Sequence, residues 1–422
     1  MAISKIEEKL AEAQSLSSTN PSRAEAIYKE ILSGPTASES PETLRHQETA
    51  LVKLGELYRD QKNAKGLAEV ITLSRSYMSS TAKAKTAKLT RTLLDFFNPI
   101  PDCQNVQIAV LEENIEWAKK EKRIFQKQNL ETRLVGIYLE MQQYKSALSL
   151  IDNLLTELKR LDDKMVLTEV HLLESRVYRG VGNLAKSKAA LTSARTAANS
   201  IYCPPHLQAA LDLQSGILHA EDKDYKTAYS YFFETFESLS SQDDPTALNA
   251  LKYMLLCKVM LNLSEDVDAL LGLKFAVKFA QLRDVESMRA IARAHQNRDL
   301  AAFEQTLRDY RELSSDPTIR SHLSALYDTL LEQNLLRIVE PYSVVEIEYV
   351  AQQVGQGRQA VETKLSQMIL DRLLHGVLDQ GRGCLLLFAE PKLDSTYGAA
   401  IQTLEQVSKV VDSLYAKSVK IA

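Results

Sequence analysis

The sequence predicts a mainly α-helical protein, in which a right-handed solenoid of helical hairpins is followed by a winged-helix module and one further helix. Three observations support this fold class. Glycine and proline are sparse, with 14 and 11 among 422 residues, and this scarcity favours helices joined by short loops. A three-residue motif recurs at about forty residues, and the hydrophobic pattern changes near residue 340.

The composition bounds the possible classes of protein. Hydrophobic residues make up 45% and charged residues 25% of the chain, as in ordinary folded domains. A chain of 422 residues is too long for one compact core, so several structural units or one elongated repeat array are expected. The formal net charge of −4 lacks the basic surplus that nucleic-acid-binding domains usually carry.

The recurring motif consists of an aromatic residue or histidine, a small or apolar residue nine positions later, and a bulky apolar residue four positions after that. It occurs as Tyr58–Leu67–Ile71, Tyr138–Ala147–Ile151, Tyr178–Ser187–Leu191 and His219–Ala228–Phe232. The first members are 80, 40 and 41 residues apart, which predicts one degenerate copy near Asn98. We interpret each copy as two helices packed closely across a short turn.

This motif resembles tetratricopeptide hairpins, although the unit is longer than their usual length of about 34 residues. A generic helical domain with chance aromatic residues is the alternative. Turn-like stretches at Asp60–Lys65, Gln142–Tyr144, Gly180–Asn183 and Glu221–Asp224 fall where the hairpins require them. Repeats of this kind bury their faces only against neighbouring repeats, and they commonly provide surfaces for other proteins.

Four segments are predicted along the chain. An N-terminal helical pair and a linker occupy residues 1–40, the polar linker running over Ser33–Pro41. The repeat solenoid occupies residues 41–318, the winged helix 319–392, and a C-terminal bundle helix 393–422.

The winged helix is predicted from the order of its elements. An amphipathic helix at Arg320–Leu336 is followed by a short strand at Arg337–Val339 and a helix capped by Ser343, with Glu346 at the capping-box spacing. After Gly355-Gln356-Gly357 comes a second helix, and then two strands at Gly376–Asp379 and Cys384–Phe388.

The last helix carries an apolar seam at alternating steps of three and four residues, formed by Tyr397, Ala400, Leu404, Val407, Val411 and Leu414. Such a seam is typical of a helix that packs against a partner. The partner is either the body of this chain or a helix of another chain, and we favour another chain.

No motif predicts catalysis, a metal site or a cofactor site. Gly355–Ala360 fits a loose GxGxxA pattern, but it follows a helix rather than a strand, so a helix–turn–helix connector explains it better. The seven histidines show no zinc-ligand spacing, and the chain contains neither a P-loop nor a GxSxG sequence. We therefore expect a protein that is not an enzyme.

Nucleic-acid binding is the main alternative to a protein scaffold, because winged helices often bind DNA. The predicted recognition helix, Arg358–Arg372, has a net charge of only about +1, whereas duplex binding normally needs several cations against phosphates. The basic stretch Lys119–Lys127 is interpreted as a solvated helix face, with an acidic partner surface as the second interpretation.

The four cysteines are far apart, with no CxxC pair, which favours reduced thiols in the cytoplasm and nucleus. The N-terminus lacks the continuous apolar segment of a secretory signal. No window approaches the roughly 20 apolar residues of a membrane span, so we expect no membrane partner.

Helical hairpins that run directly into a winged helix resemble the PCI family of scaffold subunits. Three segments look closely like a proteasome-lid member of that family, namely Tyr342–Ile347 (YSVVEI), Val361–Asp371 (VETKLSQMILD) and Gly376–Gly381 (GVLDQG). The resemblance extends over the whole chain.

The resemblance implies a structural subunit of the 26S proteasome regulatory particle. Its solenoid is expected to reach across the ATPase ring toward the α-ring of the core particle, and its last helix to enter a bundle of lid C-termini. The winged helix would join other PCI subunits, and Val345, Glu346, Lys364 and Arg382 are its candidate partner-binding residues. There are two alternatives: a PCI subunit of a signalosome or a translation-initiation complex, and a nucleic-acid binder.

Overall fold

The described residues fold into twenty helices and one three-stranded sheet. The structure, a computed structural model, describes residues 2–16, 20–33, 41–78, 83–101, 103–263, 265–310, 316–388 and 395–419. The chain divides into two compact units, residues 1–247 and residues 248–422.

Twelve helices form the described part of the first unit. They are α1 (Ala2–Leu16), α2 (Pro21–Ser33), α3 (Pro41–Asp60), α4 (Ala64–Met78), α5 (Lys83–Asp95), α6 (Gln104–Lys120), α7 (Ile124–Glu140), α8 (Tyr144–Leu161), α9 (Lys164–Val181), α10 (Leu184–Asn199), α11 (Pro205–Glu221) and α12 (Tyr225–Ser241).

The first unit is built by stacking rather than around one centre. Many helices pack against the next helix and also against the one after it, as α7 packs on α8 and α9, and α9 on α10 and α11. The buried apolar residues form successive clusters along the chain, one from Leu10 to Ile137, one from Val135 to Val177 and one from Leu172 to Leu218. This arrangement is that of a repeat solenoid.

The repeated motif marks a repeated turn. In each copy, the carbonyl oxygen of the first motif residue accepts a hydrogen bond from the backbone N–H five residues later, at 2.9–3.0 Å. The pairs are Tyr58–Asn63, Tyr138–Gln143, Tyr178–Asn183 and His219–Asp224. In three copies the side-chain oxygen of that second residue then caps the next helix, as Asn183 Oδ1 does for the Lys186 N–H. The predicted turns are therefore confirmed.

The degenerate copy lies where the spacing predicts it. Asn98 falls in the longer connection between α5 and α6, and Gln107 and Leu111 occupy the second and third motif positions on α6, both buried. The aromatic residue that fills the core here is Phe97, which is fully buried. The copy is degenerate because its buried aromatic residue occupies position 97, one residue before position 98, where the motif spacing places the first member.

A close approach between paired helices depends on Gly216 of α11, three residues before His219. A Cβ atom at this position would lie 2.6 Å from the buried ring of Phe232 on α12. We expect Gly216→Ala to lower the free energy of unfolding by about 1–3 kcal/mol, because overpacking outweighs the gain in helix propensity.

The measurement is urea unfolding followed by the fluorescence of Trp117, the only tryptophan, which lies on α6 in the same unit. Gly136→Ala on α7 is the control, because nothing lies within 4 Å of its Cβ position. That variant should gain up to about 1 kcal/mol from helix propensity. Equal stability changes in the two variants would contradict the packing argument.

The second unit contains the remaining elements. They are α13 (Ala247–Met260, which starts one residue before the unit), α14 (Glu265–Leu271), α15 (Arg283–Asn297), α16 (Leu300–Asp309), α17 (Pro317–Val339), β1 (Val344–Glu346), α18 (Ile347–Val354), α19 (Arg358–Leu370), β2 (Gly376–Asp379), β3 (Cys384–Leu387) and α20 (Ser395–Val419).

The winged helix is formed by α17–α19 and the sheet. The strand order is β1-β3-β2 with both pairs antiparallel, so β1 and β2 are the edge strands. Its core gathers the inward residues of the sheet and helices, among them Leu335, Ile347, Leu365 and Leu385. The predicted fold class, helical repeats followed by a winged helix and a terminal helix, is confirmed.

Two details of the predicted winged helix are wrong. Residues 337–339 continue α17 instead of forming a strand, because Leu335 and Val339 lie one helical turn apart and are both fully buried. Ser343 does not cap a helix, because Val344–Glu346 pairs with β3 as a strand and α18 starts only at Ile347.

The predicted segment boundaries at residues 40, 318 and 392 remain predictions. Residues 34–40 of the predicted linker lie outside the described residues. Residues 248–318, assigned to the solenoid, belong to the same compact unit as the winged helix, and α17 starts at Pro317, just before the predicted boundary.

Candidate protein-interaction surfaces

The C-terminal helix α20 is exposed on all sides. Every side chain described on it, including all six residues of the predicted seam, is exposed. Eight large apolar side chains are 53–75% accessible, namely Tyr397, Ile401, Leu404, Val407, Val410, Val411, Leu414 and Tyr415. A folded protein rarely leaves so long an apolar stripe uncovered unless the stripe is an interaction site.

The stripe is wider than the seam read from the sequence. Ile401, Val410 and Tyr415 are also exposed, and they lie next to seam residues around the helix. Their signal was present in the sequence, since positions 397, 401, 404, 411 and 415 follow steps of four, three, seven and four, and Val410 lies three residues after Val407 and four before Leu414. A strict seam of two residues per heptad excluded them.

A second apolar surface lies on the outer face of the winged-helix sheet. The register places Val344 of β1 opposite Leu386 of β3, and Leu386 opposite Val377 of β2. These three residues form one row across the sheet, and Val344 and Val377 at its ends are about half exposed. The row was not predicted from the sequence, because a face of three strands becomes visible only once their register is known.

Of the four candidate residues in the winged helix, Val345 is the one that the fold does not leave accessible. It lies opposite Leu385 in the adjacent row of the sheet, is 4% exposed and belongs to the hydrophobic core. Side chains alternate between the faces of a strand, so its neighbours Val344 and Glu346 are exposed instead. The expectation that Val345 faces a partner is therefore corrected.

The two candidate cations of the winged helix differ in their surroundings. Lys364 Nζ on α19 lies 2.8 Å from Glu332 Oε1 on α17, and its side chain is only 14% exposed. The side chain of Arg382 is 86% exposed, 3.9 Å from Asp379. Lys364 is thus engaged within the fold, which leaves α19 with even less positive charge for a phosphate backbone than its sequence suggests.

This difference predicts that charge reversal affects stability at Lys364 but not at Arg382. We expect Lys364→Glu to lower the free energy of unfolding by about 1–3 kcal/mol, because it replaces a charge-assisted contact by repulsion from Glu332. Arg382→Glu should change it by no more than about 0.5 kcal/mol, as at other exposed positions. Thermal unfolding of both full-length variants measures this. Loss of salt-sensitive duplex binding in both, at unchanged stability, would instead support a nucleic-acid binder.

The basic stretch Lys119–Lys127 spans the turn between α6 and α7. Lys119 and Lys127 both lie 3.7 Å from the buried carboxylate of Glu131, and Lys127 also binds Glu157. Part of this charge is therefore structural. The same turn exposes Ile124 and Phe125, the latter at 65%, so it combines basic and apolar groups.

Comparisons with known proteins match three regions of the chain to family models. Residues 6–141 match the 26S proteasome regulatory subunit RPN6 N-terminal domain, residues 307–388 the PCI domain, and residues 394–418 the 26S proteasome subunit RPN6 C-terminal helix domain. The last two matches cover the winged helix and α20.

Curated relatives are similar over nearly the whole chain. The probable 26S proteasome regulatory subunit rpn6 of Schizosaccharomyces pombe is 52% identical over 92% of each chain. The 26S proteasome regulatory subunit RPN6 of Saccharomyces cerevisiae is 48% identical over 94% of each. The 26S proteasome non-ATPase regulatory subunit 11 homolog of Arabidopsis thaliana is 47% identical over 95% of this chain and 96% of its own. The chain belongs to the RPN6 family of 26S proteasome regulatory subunits.

Membership of the RPN6 family confirms the resemblance to a PCI subunit of the proteasome lid. The signalosome and initiation-complex alternatives share the PCI domain, but the relatives that match nearly the whole chain are named as proteasome subunits. The α20 stripe lies in the segment that matches the RPN6 C-terminal helix domain. This segment lies outside the match to the PCI domain, which ends at residue 388.

The glycine loop weighed as a nucleotide site has a structural role in this member of the RPN6 family. Gly355 has a φ of 73° and ends α18, and Gly357 caps α19, so the loop is a helix connector as predicted. Burial raises the pKa of Cys257 to about 12, which disfavours the thiolate.

Among the described residues, no three His, Cys, Asp or Glu side chains are grouped as they would be around a metal ion. None of the helices described is long and apolar enough to cross a membrane.

Proposed function

We propose that this chain is a non-catalytic scaffold subunit of the proteasome regulatory-particle lid. Through contacts with other lid PCI subunits, the ATPase ring and the α subunits of the core particle, it would support the ATP-dependent degradation of ubiquitinated proteins. The observation that carries this proposal is the exposed apolar stripe of α20, in the segment matched to the RPN6 C-terminal helix domain.

The stripe supports an assembly role on energetic grounds. Complete burial of a Val, Leu, Ile or aromatic side chain contributes about 1.5–3 kcal/mol. With eight such side chains more than half exposed, burial against a partner would contribute on the order of 10 kcal/mol. That contribution is sufficient to hold a helix in a bundle after the entropy lost on association.

The other surfaces support contacts with more than one neighbour. The row Val344–Leu386–Val377 lies on the winged helix, whereas Ile124 and Phe125 lie on the first unit. A subunit whose role is architectural requires several such surfaces and no reacting group. None of the four cysteines, all of which lie within the described residues, forms a disulfide, which is compatible with the cytoplasm and nucleus, where we place the protein.

Cross-linking of affinity-purified complexes with a lysine-reactive reagent, read by mass spectrometry, tests the proposal. Lys409 and Lys417 on the exposed α20 should link to lid PCI subunits, and lysines of residues 1–247 should link to ATPase and core α subunits. Links confined to subunits of a signalosome or an initiation complex would contradict the function proposed, while leaving the fold unchanged.

A further inference from the structure

A groove in the first unit is separate from the α20 stripe and from the apolar row of the winged-helix sheet. Its volume is about 970 Å³, and residues of α5, α6, α7 and α9 form its walls. This size is at the upper end of the range of about 300–1,000 Å³ found for ligand pockets. We call it the amide groove, because five carboxamide side chains line it, those of Asn98, Gln104, Gln107, Gln126 and Asn129.

The carboxamides match the chemistry of a polypeptide main chain. Each carries an N–H donor and a carbonyl acceptor, the same pair of groups that every peptide unit presents. Gln107 is 7% exposed, and it lines the groove on α6. A polypeptide segment in the groove can donate hydrogen bonds to these carboxamides and accept hydrogen bonds from them.

The charges of the groove do not favour a polyanion. Lys88, Arg91 and Arg133 line it together with Asp95, Glu140 and Glu169, so cations and anions balance. Arg133 forms an ion pair with Asp95 and donates a hydrogen bond to the carbonyl oxygen of Leu94. Burial raises the pKa of Glu169, although Arg91 and His206 oppose the shift. Recognition must therefore depend on hydrogen bonds rather than on net charge.

A glycine inside helix α7, Gly136, lies in the same groove. A glycine inside a helix costs about 1 kcal/mol relative to alanine, so its presence calls for a packing reason. Gly55, Gly66, Gly180 and Gly216 have one, because a Cβ at each would lie within 3 Å of an aromatic ring. Gly136 of α7 has none, since the space around its Cβ position is open and belongs to the groove.

Glycine at such a position lets another backbone approach the helix closely. From the carboxamides, the balanced charge and Gly136, we propose that the amide groove binds an extended polypeptide segment of a partner protein, through hydrogen bonds to its main chain. The groove shares no residue with α20 or the winged helix, so this binding activity is additional to the scaffold contacts and can be tested without the proteasome.

The test uses the full-length chain and a random-peptide phage library as the probe. Peptides selected on the wild-type protein are synthesised, and their affinities are measured by fluorescence polarisation. Gly136→Leu should weaken binding at least about tenfold by filling the groove, and Gln107→Leu should weaken it by removing the donor and acceptor. Ser149→Leu is the matched control, since it adds a leucine to an exposed position of α8, none of whose residues lines the groove.

Folding is checked separately by urea unfolding followed with Trp117 fluorescence. Gly136→Leu should be at least as stable as the wild type, because leucine is a better helix former than glycine and the space around Gly136 is open. Recovery of no binding peptide, equal affinity for wild type and Gly136→Leu, or preferential binding of a single-stranded oligonucleotide would each overturn the proposal.

Discussion

Replacing Leu404 and Val411 together by aspartate is expected to remove the chain from its complex and to leave its own fold unchanged. Both side chains are more than half exposed on α20, so the isolated chain loses little when they change. In a bundle, the two would contribute about 3–6 kcal/mol of apolar burial, which corresponds to more than about a hundredfold in affinity. Two buried carboxylates would add a desolvation cost.

The measurement is the fraction of tagged chain that co-sediments with high-mass complexes from cell extract, compared with its thermal unfolding in isolation. Gln406→Asp with Ser413→Asp is the matched control. These two positions have the same seven-residue spacing, add the same charge to the same helix and lie about 200° around it from the first pair. If both pairs sediment alike, or if only unfolding changes, the α20 stripe is not the assembly surface.

Replacing Phe97 by alanine is expected to destabilise the first unit more than the Gly216→Ala change does. Its ring is fully buried in the cluster that runs from Leu10 to Ile137, at the place where the repeat is degenerate. Truncation of a buried phenylalanine costs about 3–5 kcal/mol through lost burial and the cavity left behind. The midpoint of urea unfolding, followed by Trp117 fluorescence, should fall accordingly.

Phe125→Ala is the control, because it makes the same substitution at a position that is 65% exposed. The free energy of unfolding should then change by no more than about 0.5 kcal/mol. Comparable losses in the two variants would mean that Phe97 does not complete the core of the degenerate repeat.

The elements that the sequence predicted well are those set by local chemistry. The turns at Gln142–Tyr144 and Gly180–Asn183 could be located because residues a few positions apart form them. The hairpin of β2 and β3 was found for the same reason, since its strands are joined by a short turn. The helical hairpins of the solenoid could be predicted because their motif recurs at a regular spacing of about forty residues.

The elements that the sequence missed depend on distant partners. Val344–Glu346 is a strand only because it pairs with β3, about forty residues further along the chain, whereas its local sequence favours a capped helix. The inward orientation of Val345 follows from the same pairing. The amide groove could not be predicted either, since Gln107, Gln126 and Gly136 come from two helices and are brought together by stacking.

Affinity purification of the tagged full-length chain under mild conditions, followed by quantitative mass spectrometry, tests the scaffold function most directly. We expect lid, ATPase and core α-ring subunits of the proteasome in near-equal amounts, and their loss with the aspartate pair at Leu404 and Val411. Recovery of another PCI complex, or of nucleic acid without protein partners, would contradict the function proposed.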